Sequence, residues 1–156
     1  MIPTFAFVPH KGFGPAMLGS SRELAREAMA AAGFPLERTR KRSDSFCASS
    51  IQIECDDHGL VDFIGVAYSP RFIATYRDVE VFRVPAEQLF QLIAEADSSD
   101  TDTFNRSGYR FPGQVMTLWE ADSQYDYLGN ESKAVWAQVG IGSASYAAAI
   151  ARMKGS

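Results

Sequence analysis

The chain has 156 residues, of which 46% are hydrophobic, and 15 Lys and Arg stand against 19 Asp and Glu for a net charge of −4. A chain of this length can bury a large core as one domain, residues 1–156, without a disulfide or a metal. Its composition argues against disorder, and its acidity argues against nucleic acid or an anionic membrane as the partner.

The first predicted elements are a short strand and a helix. Residues 4–8 are apolar with a proline on each side, which predicts an edge strand or an ordered arm. Ser20 and Glu23 form a capping box, and the apolar stripe that follows predicts a helix over residues 21–32. Gly33 stands where a helix ends in a left-handed conformation.

A β-hairpin follows the helix. Residues 46–55 and 60–68 are β-prone, and the turn between them, residues 56–59, ends in glycine. The second strand is apolar on both faces, which predicts a central strand covered on both sides. Residues 72–76 and 79–84 predict two further strands.

The second half begins with another helix, which starts after Pro85. Residues 97–102 are a polar linker, and residues 109–119 predict a second hairpin. Residues 120–133 are polar and predict a long loop, a kind of segment that often carries function.

The chain closes with a strand over residues 134–141 and a terminal helix that Ser143 caps. Strands that follow each helix in runs predict an α+β fold, an antiparallel sheet with two or three helices packed on it. The repeated order also suggests a duplicated helix–hairpin module, with halves at about residues 12–83 and 84–156.

Residues typical of catalysis or metal binding are scarce. His10 and His58 suit a structural or surface role, and no nucleophile elbow or phosphate loop is present. Cys47 and Cys55 lack the further soft ligands of a zinc site, so they predict free thiols in a reducing cytosol. The four bases within residues 38–42 suit a solvated loop better than a nucleic-acid site. We expect no cofactor, no metal and no enzymatic activity.

Acids and aromatic residues concentrate in residues 87–131. Residues 84–156 hold nine acids and five bases, whereas residues 1–83 hold ten of each. Trp119 and Trp136 fall within predicted strands and predict core packing, although Trp119 could also serve as an anchor for a partner. Tyr125 and Tyr127 lie among acids in the predicted loop, and tyrosine is typical of interface hot spots.

Two segments resemble a known class of proteins. Residues 18–24, Leu-Gly-Ser-Ser-Arg-Glu-Leu, and the hairpin over residues 51–64 resemble small bacterial immunity proteins from polymorphic toxin systems. A helix with an antiparallel sheet is also similar to the module of β-lactamase-inhibitor-like proteins. The resemblance covers residues 12–68 at the level of motifs, and it implies a cytoplasmic protein that binds and neutralises a toxin domain.

We therefore expect an immunity protein that binds a toxin with a basic surface. The expected partner-binding residues are Asp97, Asp100, Asp102, Asp122, Tyr125, Asp126, Tyr127 and Glu131. The alternative is a small-ligand-binding or enzymatic domain, with a pocket between sheet and helices that Trp136, Tyr109 and Arg110 would line.

Overall fold

The computed structural model describes residues 2–97, 104–125 and 132–155, and within these ranges the chain forms twelve strands and three helices. In chain order they are β1 Thr4–Val8, β2 Gly12–Phe13, β3 Ala16–Met17, α1 Arg22–Ala31, β4 Arg38–Thr39, β5 Ser43–Phe46, β6 Ile51–Cys55, β7 Val61–Val66, β8 Ile73–Tyr76, β9 Val79–Glu80, α2 Ala86–Asp97, β10 Gly108–Phe111, β11 Met116–Tyr125, β12 Ser132–Gly142 and α3 Ala144–Gly155. Helices and largely antiparallel strands in separate runs confirm the predicted α+β class.

The larger sheet has seven strands in the order β10-β11-β12-β7-β6-β5-β4, and every pairing in it is antiparallel. β7 lies inside this sheet, between β6 and β12, and only Asp62 in it is not fully buried. This confirms the predicted central strand, because a strand that is apolar on both faces is stable only where both are covered.

The smaller sheet has five strands in the order β3-β2-β1-β8-β9. β1 lies at its centre, antiparallel to β2 and parallel to β8, so the prediction of an edge strand or arm for residues 4–8 is wrong. The flanking prolines only bound the strand. Phe5 and Phe7 alternate with exposed residues and enter the core, and this burial holds the strand between two partners.

One hydrophobic cluster joins both sheets with α1 and α2. On one side, the Phe5 ring lies within 5.9 Å of the rings of Phe13, Phe34 and Phe72. On the other, Phe90 of α2 packs on Phe104, Tyr109 and Phe111, with centroids 5.2–5.6 Å apart. Offset and edge-on ring pairs of this kind add to the stabilisation that burial provides.

The first helix begins one residue later than the capping box predicts. The hydroxyl of Ser21 accepts a hydrogen bond from the backbone N–H of Leu24, whereas the hydroxyl of Ser20 donates to the carbonyl oxygen of Met17. Gly33 adopts φ +94°, which confirms the predicted left-handed end. At the far end of the chain, Ser143 accepts from the N–H of Tyr146, so the predicted cap of α3 is also confirmed.

The segment predicted as one strand over residues 46–55 contains a turn. β5 ends at Phe46 and β6 begins at Ile51, and Cys47, Ala48 and Ser49 between them all adopt positive φ. Three successive left-handed residues without a glycine are rare, so no local signal announces this turn.

The two halves of the chain contribute similar units to the larger sheet. The helix α1 precedes β4 to β7, and α2 precedes β10 to β12. The last strands of the two units, β7 and β12, pair antiparallel from Val66–Val139 to Phe63–Gly142. Duplication of residues 12–83 and 84–156 stays a prediction, and this pairing is the arrangement that two helix–hairpin modules joined edge to edge would produce.

Candidate functional site

The hairpin of β11 and β12 extends past its neighbours in the larger sheet. β10 pairs with β11 only as far as Trp119, and β7 pairs with β12 only from Val139 onward. The pairs from Ala121–Trp136 to Tyr125–Ser132 therefore continue as a two-stranded ribbon. At about 3.4 Å per residue, this β11–β12 ribbon is roughly 14 Å long. We use this name for residues 121–125 and 132–136.

Asp122 and Tyr125 lie in strand β11, so the prediction of a loop over residues 120–133 is wrong at both ends. Within this predicted loop, strand β11 continues through residue 125 and β12 begins at residue 132. The sequence pattern does not predict this part of the strand, because residues 122–125 show no apolar alternation. Asp126, Tyr127 and Glu131 lie outside the described residues, in the six-residue sequence connection between the two strands.

Asp97 lies far from this ribbon. It ends α2, and its carboxylate accepts hydrogen bonds from the backbone N–H groups of Gly113 and Gln114, at 3.1 and 2.8 Å, and from the Gln114 side chain at 3.0 Å. These bonds hold the turn between β10 and β11. β11 starts beside that turn and ends at Tyr125, so Asp97 and Tyr125 stand at opposite ends of a strand roughly 30 Å long. Asp100 and Asp102 lie outside the described residues.

The two tryptophans have different environments. Trp136 is 1% exposed, its indole N–H donates to the carbonyl oxygen of Ala86 at 2.9 Å, and Phe104 packs on its ring, so its predicted core role is confirmed. Trp119 is 54% exposed, and the core prediction for it is wrong. Glu120 beside it adopts φ 45°, which breaks the regular course of β11 at the base of the ribbon.

A shallow concavity of about 190 Å³ opens next to Trp119 on the larger sheet. It is lined by Ser49, Ser50, Gln52, Gly65, Ala67, Trp119, Ala137 and Gln138. Sequence reasoning missed this feature. The available signal was one glutamine in each of two strands, Gln52 in β6 and Gln138 in β12, and only the pairing of both strands with β7 brings the two together.

Two of the residues expected to line the pocket of the alternative function, Trp136 and Tyr109, pack in or against the core. Tyr109 packs edge-on against both Phe90 and Phe111, and Trp136 is buried behind Phe104. Both aromatic side chains proposed as its lining therefore pack against other aromatic rings. A larger open concavity of about 420 Å³ lies elsewhere, between β1, the turn from β8 to β9, Gln114 and Ala96 of α2.

Of the residues typical of catalysis or metal binding, His10 has a structural partner and the two cysteines are buried. Nε2 of His10 donates to the carbonyl oxygen of Gly113 at 2.9 Å, and Cys47 and Cys55 are buried free thiols. Among the described residues, no three His, Cys, Asp or Glu side chains are grouped as metal ligands. In the same part of the chain, no helix has both the length and the hydropathy that crossing a bilayer requires.

Two carboxyl groups with raised pKa values, those of Glu54 and Asp62, lie where α3 contacts the larger sheet. Burial, followed by the negative charges of Asp56 and Glu54, raises the pKa of Asp62 to about 6. Burial also raises the pKa values of Glu54 and of Tyr146, whose ring stacks on Phe63 at 4.7 Å. The register of β6 against β7 shifts between Glu54 and Cys55, so Asp62 has no directly opposite residue in β6. A β-bulge therefore determines its position.

Replacing Asp62 with asparagine is expected to stabilise the protein at neutral pH. A rise from 3.8 to about 6 corresponds to about 3 kcal/mol, which solvent screening of a partly exposed group reduces to about 1–2 kcal/mol. The pKa of Asp62 is higher in the folded chain than in the unfolded chain. The protonated carboxyl group therefore contributes its full stability below the unfolded pKa, and this contribution is lost as the pH rises through about 6. Urea unfolding of Asp62→Asn at several pH values should show a flatter profile than the native chain.

Asp56 provides a control, because its pKa is lowered whereas that of Asp62 is raised. Its carboxylate accepts from the backbone N–H groups of Leu60 and His58, and the bond from Leu60 is the main cause that lowers its pKa. Asp56→Ala should therefore lower stability at neutral pH, and this loss should shrink as the pH falls below the unfolded pKa of 3.8. Identical pH profiles for Asp62→Asn and the native chain would contradict the assignment.

Comparison with protein-family models, with curated proteins and with solved structures finds no match to this chain.

Proposed function

We propose that this chain is a cytoplasmic immunity protein that binds and neutralises a bacterial toxin domain with a basic surface. The observation that carries the proposal is the β11–β12 ribbon, whose end stands beyond the neighbouring strands of the sheet. Beyond the buried Val135 and Trp136, a two-stranded ribbon contributes little to stability, so this outer part suits a contact with another molecule.

The residues of this hairpin suit a basic partner. Glu120, Asp122, Asp126 and Glu131 give residues 120–133 four acids against one base, Lys133. Acids at a projecting end accelerate association with a positive surface, and they repel nucleic acid. Tyr125 and Tyr127 belong to the residue type that most often supplies the desolvated centre of an interface. Asp97 lies outside this surface, because its carboxylate holds the turn between β10 and β11.

The test combines toxicity with affinity. The products of the neighbouring genes are expressed in a heterologous host, and coexpression of the native chain should restore growth to the host in which one of them is toxic. Simultaneous replacement of Asp122 and Asp126 with asparagine and of Tyr125 and Tyr127 with alanine should abolish this rescue. By calorimetry, the variant should bind the toxin about 1,000-fold more weakly, because two hot-spot tyrosines contribute at least about 4 kcal/mol.

A matched control removes the same number of charges from another surface. Glu87 and Glu95 are exposed on α2, so Glu87→Gln with Glu95→Gln should leave rescue and affinity unchanged. Unchanged affinity of the fourfold variant would refute this placement of the interface. A chain that rescues no toxic product of its neighbouring genes would refute the function itself.

A further inference from the structure

The concavity beside Trp119 has a wholly uncharged lining in a chain of which 22% of residues are charged. Its side chains are two amides, two hydroxyls, two alanine methyl groups and one indole. A ligand that carries a phosphate or carboxylate needs a cation there, and a cationic ligand needs an acid. This lining offers neither, so it favours a neutral, polar ligand.

Gly65 forms the floor of the concavity. A Cβ on Gly65 would overlap the amide nitrogen of Gln138 and would lie 3.3 Å from the ring of Phe63. The missing side chain thus makes the space in which the Gln138 amide lies. On the far side the Phe63 ring, backed by Tyr146 of α3, covers the next part of the sheet. The concavity therefore lies between Trp119 and the part of the sheet that the Phe63 ring covers.

The polar side chains around this floor differ in their partners, and the Ser50 hydroxyl donates to the carbonyl oxygen of Cys47 at 2.6 Å. Among the residues that the structure describes, the side chains of Gln52, Gln138 and Trp119 make no hydrogen bond. The backbone of β6, β7 and β12 is engaged in the ladders of the sheet, so side chains alone can recognise a ligand here. Two planar amides can each donate and accept, which matches hydroxyl groups.

We infer that this concavity binds a neutral pyranose ring of a carbohydrate. The exposed indole face offers an apolar platform for the C–H face of the ring, and its N–H and the two amides can bond the hydroxyl groups at the ring edge. A nucleobase could also stack on the indole, but the lining has no cation for the phosphate backbone that comes with it. The inference is independent of the proposed toxin binding, because it uses no residue of the β11–β12 ribbon.

Two-dimensional ¹⁵N NMR of the full chain tests the inference with an internal reference. The chain has two tryptophans, and the indole N–H of Trp136 is buried against the carbonyl oxygen of Ala86. Titration with methyl glucoside, methyl mannoside and N-acetylglucosamine should move the Trp119 indole signal for at least one sugar, with a millimolar dissociation constant, and should leave the Trp136 signal in place. The matching sugar phosphate should bind no more tightly, since no cation lines the site.

Substitutions locate the binding. Trp119→Ala and Gln138→Ala should each weaken binding of the responsive sugar at least about tenfold, the effect of losing one hydrogen bond or stacking contact of about 1.4 kcal/mol. Gly65→Ala should also weaken it, because the new methyl group displaces the Gln138 amide. Gln88 is an exposed amide on α2, so Gln88→Ala is the matched control and should bind as the native chain does.

Three outcomes would overturn the inference. They are a Trp119 signal that no neutral sugar moves, equal responses to adenosine and to the sugars, and a Gln138→Ala variant that binds as tightly as the native chain. Circular dichroism of each variant confirms that the fold persists, which the exposure of Trp119 leads us to expect.

Discussion

Replacing Trp136 with alanine is expected to lower the free energy of unfolding by about 4 kcal/mol, the range for removing a fully buried aromatic side chain. The ring is 1% exposed, Phe104 packs against it, and its N–H donates to the carbonyl oxygen of Ala86 at the start of α2. Its loss would both open a cavity and detach α2 from β12. Urea unfolding followed by circular dichroism measures the effect.

Two further variants separate the causes. Trp136→Phe keeps most of the apolar area but removes the hydrogen bond from the indole N–H to the carbonyl oxygen of Ala86, so it should cost about 1–2 kcal/mol. Trp119→Ala removes the same residue type from an exposed position and should change stability by less than about 0.5 kcal/mol. Equal losses for Trp119→Ala and Trp136→Ala would show that the assignment of one tryptophan to the core and the other to the surface is wrong.

Replacing Asp44 with alanine is the second change with a large expected effect, about 3 kcal/mol of destabilisation. The Asp44 carboxylate is 2% exposed and accepts from Arg22 and Arg26 of α1, each at 2.7 Å, and from the Thr39 hydroxyl at 2.8 Å. Removing it would leave two partly buried guanidinium groups without their common partner. It would also release α1 from the hairpin of β4 and β5. Urea unfolding of Asp44→Ala beside the native chain measures the loss.

The pH dependence of this network provides a second measurement. Burial alone would raise the pKa of Asp44, but hydrogen bonds from Arg26, Arg22 and Thr39 outweigh it and hold the pKa well below its usual range. Because the folded pKa is the lower one, the stabilisation is present above the unfolded value of 3.8 and is lost as the pH falls below it. The native chain should therefore lose stability in acid, and Asp44→Ala should lose less.

The surface pair of Arg42 and Asp57 is the matched control. It joins the same two charge types, but the Asp57 side chain is 71% exposed. Exposed ion pairs contribute little, so Asp57→Ala should change stability by less than about 0.5 kcal/mol. A cost for Asp44→Ala as small as that for Asp57→Ala would contradict the role assigned to the buried carboxylate.

The Asp44 network also explains the basic segment of residues 38–42. The guanidinium of Arg22 donates to the backbone carbonyl oxygens of Arg40 and Lys41, at 2.6 and 2.8 Å. Helix α1 thus holds the connector through its backbone, and the basic side chains themselves are exposed. This arrangement agrees with the interpretation of the segment as a solvated connection.

Local sequence signals were sufficient for several elements. The cap at Ser143, the left-handed Gly33 and the hairpin that contains β6 and β7 all follow from contacts between residues close in sequence. Period-2 and period-3.6 apolar patterns report burial of one strand or helix at a time. The α+β class follows from the order of these elements, which is why it was predicted correctly.

The candidate site could be predicted only in part. Tyr125 and Asp122 were singled out by composition, but the ribbon that holds them is visible only from the register of β11 against β12 and from the shorter neighbours on each side. The same register separates Asp97 from Tyr125, two residues that composition placed in one surface. Gln52 and Gly65 face each other across the hairpin of β6 and β7, but Gln138 is far along the chain, so no local pattern could add it to them.

By itself, the sequence determined the fold class, the local caps and turns, and the acidity of residues 87–131. Only the tertiary structure decided that residues 4–8 form a central strand, that Trp119 is exposed while Trp136 is buried, and that Asp44 binds two arginines. The physical reason is that each of these depends on which strand or helix packs alongside. Such pairing is set by long-range burial and register, whereas caps and turns are set by hydrogen bonds between residues a few positions apart.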